Sequence, residues 1–134
     1  MGKILYVWYV IYIIILIGCA SDAVKEAETI TVLPQTITAT QAKEVMADGD
    51  AYILLDVRTP QEFEEGRIAG AISMPVDQLR ERAEAELPEK SARIFVYCRS
   101  GNRSASAAQT LAEIGFLHVY DLGGILDWPY EMER

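Results

Sequence analysis

Polar and apolar positions in this chain switch between two spacings, and the switches mark its elements. Residues 4–17 are one unbroken apolar run of 14 positions. In "TATQAKEVMADGD", residues 38–50, apolar Ala42, Val45 and Met46 share one helical face. Thr38 with Gln41 opens that segment as a capping box, and Gly49 closes it. "AYILLDV", residues 51–57, is too short and too uniformly apolar for a surface helix, which predicts a strand buried on both faces. "TPQE", residues 59–62, is a second capping box with Pro60 at the first helical position. "AISMP" reads as a short strand stopped by Pro75, and "VDQLRERAEAELP" as an exposed amphipathic helix capped by Asp77. "RIFVYC", residues 93–98, is another buried strand. Residues 103–114 form a helix with Ala105, Ala108, Leu111 and Ala112 on one stripe, ended by Gly115. "HVYDL" is a further strand, followed by a Gly-Gly turn and a last helical turn. Strands alternating with helices predict an α/β domain with a central, mainly parallel sheet and helices on both faces.

Composition refines the ends. The 134 residues suit one domain, expected over residues 36–134, after a leader over 1–18 and a polar tether over 19–35. The leader carries Lys3 and an apolar run shorter than the roughly 20 residues a membrane span needs, as in a secretory signal. Its end, "LIGC" at residues 16–19, resembles the lipobox of bacterial lipoproteins. That resemblance implies cleavage before Cys19, lipidation of its sulfur, and a membrane-anchored protein on the periplasmic side or the cell surface. The alternative is an uncleaved anchor, which Tyr6, Trp8, Tyr9 and Tyr12 favour as interfacial residues.

Net charge is −8, so nucleic acid is not an expected partner. No metal-ligand spacing, phosphate loop or dinucleotide fingerprint is present, and neither metal nor cofactor is expected. Yet residues 90–112 hold Lys90, Arg93, Arg99 and Arg103 and no acid. Either these cations pair with acids elsewhere, or they leave a segment suited to an anion. Cys98 stands inside it, at the expected carboxyl end of a buried strand and just before a helix, where ligands of parallel sheets collect. Backbone N–H groups of "RSGN", the helix dipole, and the charges of Arg99 and Arg103 all favour thiolate over thiol. With Cys19 lipidated, Cys98 has no partner for a disulfide. It is then either a small buried hydrophobe or a working nucleophile, and its placement favours the nucleophile.

"LLDVRTPQEFEEGRIAGAISMP" at 54–75, "VYCRSGNRS" at 96–104 and "DLGGILDW" at 121–128 together resemble a single rhodanese domain of the thiosulfate sulfurtransferase family. The resemblance implies that Cys98 becomes a persulfide, and that the loop of Arg99, Ser100, Gly101, Asn102 and Arg103 holds the transferred sulfur and the substrate anion. Arg99 and Arg103 would orient thiosulfate, cyanide or a thiol would accept the sulfur, and Asp56 and Arg58 would brace the site. Two departures stand out: Arg67 replaces a frequent histidine, and "WPYEMER" carries Pro129 where many members continue with a Gly-Pro loop. Phosphatases built on this fold place Arg six positions after the cysteine, where Ser104 stands here, so dephosphorylation is not expected. His118, the one histidine, precedes a different strand and is not expected to serve Cys98; Trp128 reads as core. A non-catalytic binding module or persulfide carrier serving a partner protein is the alternative reading.

Overall fold

The computed structural model describes residues 31–134. The leader, the cleavage site, Cys19 and most of the expected tether lie outside the described residues. Five parallel strands form the main sheet in the order β1-β6-β5-β2-β4. They are β1 (Gln35–Thr36), β2 (Ile53–Asp56), β4 (Ile72–Ser73), β5 (Arg93–Cys98) and β6 (His118–Gly124). The helices are α1 (Ala39–Met46), α2 (Pro60–Glu65), α3 (Leu79–Glu86) and α4 (Asn102–Glu113). A small antiparallel ribbon joins β3 (Arg67–Ile68) to β7 (Met132–Glu133). No described helix is long and apolar enough to cross a membrane.

The central strand β5 explains the layering. Its residues alternate across the sheet, so Ile94, Val96 and Cys98 join the core under α3 and α4, with Leu55, Leu79, Ala83, Ala107 and Leu111. Phe95 and Tyr97 point the other way, into a core shared with Ala42, Ile68, Leu122 and Trp128. Both faces are therefore covered, which is why the strand reads as a continuous apolar run. On the second face Phe95 stacks on Tyr120 at 4.9 Å and meets Tyr52 edge-on at 5.8 Å.

Both capping boxes form. Thr38 Oγ1 accepts the Gln41 N–H at 3.2 Å and Thr59 Oγ1 accepts the Glu62 N–H at 3.2 Å, each answered by the partner's side chain. Gly115 ends α4 at φ +97, with the Phe116 and Gly115 N–H groups turned back to Leu111 and Ala112.

Four local expectations are corrected. The apolar stripe of α4 runs through Ser104, Ala107, Ala108, Leu111 and Ala112, whereas Ala105 is exposed. A buried serine had disguised the register, because hydrophobicity alone skips it. Asp77 does not cap α3: Pro75–Gln78 closes a turn first, and Gln78 takes the cap position without a side-chain bond. Gly123 and Gly124 do not leave the sheet but end β6, where pairing jumps from Val96↔Asp121 to Tyr97↔Gly123 and strands Leu122 as an extra residue. Finally, Gln35, expected in the tether, pairs with Tyr120 at the sheet edge.

Candidate functional site

Cys98 is the last residue of β5 and lies opposite Gly124 of β6. The chain then crosses the sheet edge through Arg99 and Ser100, and α4 starts at Asn102. Gly101 is the turning point, at φ +105, a backbone region that side chains other than glycine rarely enter. This twist aims the Gly101 N–H at the Cys98 sulfur, 3.1 Å away. The thiol is 1% exposed, sunk at the base of the loop.

Burial is the largest single influence on that thiol and pushes its pKa up. It is outweighed by hydrogen bonds from the Ser104 and Gly101 N–H groups, the Ser104 hydroxyl and the Ser100 N–H, so that Cys98 sits below the ordinary thiol range. Loop and helix terminus thus form an anion cradle around the Cys98 sulfur and favour its thiolate form. The Ser104 hydroxyl also lies 2.9 Å from the Gly101 carbonyl, and with one proton it serves carbonyl or sulfur at a given moment. Ser104 is fully buried. Sequence reasoning passed over it, and the signal was there: a serine at the first buried turn of an otherwise alanine-lined helix.

Gly124 is a second residue that the residue-by-residue reading missed. A Cβ there would collide with the Arg99 carbonyl oxygen and lie 2.8 Å from the Ser100 Cα. Its backbone is at φ −100, open to any residue, so close approach and not conformation demands glycine. The bulge at Leu122 brings Gly124 beneath the loop.

The flanking cations separate on folding. Arg99 and Ser100 are exposed, as is Asn102, and the Arg99 guanidinium has no ion-pair partner among the described residues. Arg103, which the family resemblance would set beside Arg99 to orient the substrate anion, grips Glu62 with both terminal nitrogens, at 2.8 and 3.0 Å. The Arg103 bond, with help from Thr59 against modest burial, lowers Glu62 to about 2. Arg93 is held by Asp48 at 3.0 Å and Asp50 at 3.1 Å, and Lys90 lies 4.1 Å over the Phe116 ring. The acid-free stretch therefore leaves one unpaired guanidinium beside Cys98. Spacing could not show this, since Glu62 arrives from 41 residues upstream.

Asp56 and Arg58 form a buried pair behind the loop. The Arg58 Nε donates to Asp56 at 2.9 and 3.0 Å, and its Nη2 reaches the Gly66 carbonyl at 2.6 Å. This ties the end of β2 to the turn after α2. Tyr97 completes the brace, accepting the Ile68 N–H at 3.1 Å with the Arg58 guanidinium 5.7 Å over its ring. Burial first, then the Asp56 carboxylate, pushes the Tyr97 phenol above its ordinary range. His118 pairs with Arg93 at the opposite end of β5 from Cys98, and Trp128 is 8% exposed in the core. No cluster of metal-binding side chains occurs among the described residues.

Residues 38–130 match the rhodanese-like domain family. The chain is 36% identical over 73 residues to the thiosulfate sulfurtransferase PspE of Escherichia coli K12, covering 54% of this chain and 70% of that protein. It is 34% identical over 117 residues to the adenylyltransferase and sulfurtransferase MOCS3-2 of Zea mays; these are 81% of this chain but only 24% of that longer protein. The solution structure of the rhodanese-like domain of Alr3790 from Anabaena sp. superimposes with a TM-score of 0.68 at 34% identity. That match covers 76% of this chain and 80% of the other.

Proposed function

Because this chain belongs to the rhodanese-like domain family, we propose that it is a sulfurtransferase that carries sulfane sulfur as a persulfide on Cys98. The Cys98 thiolate attacks the outer sulfur of an anionic donor, thiosulfate or a similar compound. The donor's S–S bond breaks, and sulfite, in the case of thiosulfate, leaves with the electron pair. A thiophilic acceptor, cyanide or a thiolate, then attacks the terminal sulfur, and Cys98 leaves as thiolate. The observation that carries this reading is the 3.1 Å contact from the Gly101 N–H to the Cys98 sulfur at the start of α4. The loop N–H groups and helix start that favour a thiolate at Cys98 equally favour the negative charge of a persulfide formed on it, which supports this reading. The name of the E. coli relative supports thiosulfate as one donor.

Intact mass of the full chain before and after thiosulfate tests it. A gain of one sulfur (about 32 Da by elementary mass), reversed by cyanide or dithiothreitol and absent in Cys98→Ser, is the expected result. Sulfur uptake by Cys98→Ser, or none by the unaltered chain from any sulfane donor, would sink the mechanism. We further propose that Cys19 attaches the protein to lipid outside the inner membrane, a reading supported by the "LIGC" sequence.

A further inference from the structure

The acid that holds Arg103 has a consequence for the choice of donor. Arg103 lines a cleft of about 280 Å³ with Arg58, Thr59 and the turn at Pro75–Gln78, whose Asp77 adds a second acid to its wall. Both terminal nitrogens of its guanidinium are already committed to Glu62. Glu62 is itself fixed: its carboxylate accepts the Thr59 N–H at 2.9 Å as the reciprocal half of the capping box. An incoming anion that seeks Arg103 finds only the N–H groups that Glu62 leaves open, and must approach the negative charge of a carboxylate anchored to its own helix to reach them. Arg99 is the unpaired guanidinium left at the loop among the described residues, and it offers a single positive charge.

We propose that Glu62 is a specificity-determining residue that favours sulfane donors carrying one negative charge over dianionic thiosulfate. It rests on the sulfur-transfer reading, of which it names the donor class. An organic thiosulfonate, R–SO₂–S⁻, is such a donor. Cys98 thiolate attacks its outer sulfur, the S–S bond breaks, and the sulfinate R–SO₂⁻ departs with the electron pair. Glu62 touches no reacting atom and acts by holding Arg103.

The test compares the full chain with Glu62→Gln, which keeps an amide oxygen for the Thr59 N–H but removes the charge. Unreactive probes separate binding from transfer: sulfate as the dianion and methanesulfonate as the monoanion, each titrated against the amide resonances of residues 99–104. Glu62→Gln should bind sulfate roughly tenfold more tightly, a gain of about one released charge near a half-buried guanidinium, with less than a threefold change for methanesulfonate. Glu89→Gln, which removes an exposed charge before β5, should change neither. In turnover, the preference for methanethiosulfonate over thiosulfate should shrink by a similar factor. Equal sulfate affinity in the two proteins, or an equal gain for both anions, would overturn the role of Glu62. Charge-dependent binding without sulfur uptake from either donor would instead defeat the sulfur-transfer reading and leave the discrimination standing.

Discussion

Ser104 and Gly101 do for Cys98 what the neighbouring arginines were expected to do, while Gly124 only makes room for the loop. Arginine charge acts through several ångströms of partly solvated space, whereas a buried hydroxyl and an N–H in contact act on the sulfur directly. Ser104→Ala should therefore slow alkylation of Cys98 at pH 7 by about fivefold, the equivalent of one hydrogen bond of about 1 kcal/mol. The pH–rate profile should move to higher pH, because the thiolate loses a donor that its lowered pKa depends on. An unchanged profile would assign the whole effect to the backbone. Gly124→Ala forces a methyl group against Arg99 and Ser100. It should cost about 1–3 kcal/mol in urea unfolding, the usual range for overpacking, and should displace the loop enough to slow Cys98 alkylation too.

Among the elements, α2 is the one whose importance its length conceals. Six residues bury no side chain fully, yet its capping box fixes Glu62 and through it Arg103 of α4. Glu62 titrates at about 2, against an ordinary value of 4.5. A carboxyl group with a depressed folded-state pKa stabilises the fold fully above its unfolded value, and that contribution is lost as pH falls through the folded one. Wild type should thus exceed Glu62→Gln in thermal stability at pH 6. The two should converge as pH is lowered from 4.5 towards about 2. Because the pair is partly exposed, added salt should narrow the gap. A difference that persists unchanged at low pH would mean that the glutamine acts through packing alone.

At the scale of the whole molecule, a parallel sheet gathers three distant segments at one edge: the ends of β2 with Asp56 and Arg58, of β5 with Cys98, and of β6 with Gly124. The proposed lipid attachment at Cys19 lies outside the described residues. Cys19→Ala should shift the protein from the membrane to the soluble fraction on fractionation; retention would favour an uncleaved apolar anchor. Much of the fold was legible because local patterns carry it. Buried strands show as apolar runs, Thr38 and Thr59 announce their helices, and Gly115 ends α4 by a rule of backbone sterics. The β3–β7 ribbon was not legible, since two-residue strands joined across 64 positions leave no local pattern. The same division runs through the site. The sequence by itself determined where Cys98 and its cradle lie, because Cys98, Gly101 and the helix start are close in the chain and their geometry follows from the turn between them. Only the tertiary structure decided which charge stays free, which serine faces the sulfur and which glycine underlies the loop. Those outcomes depend on which remote segment packs against the loop, and charge pairing and close contact are set by distance in space.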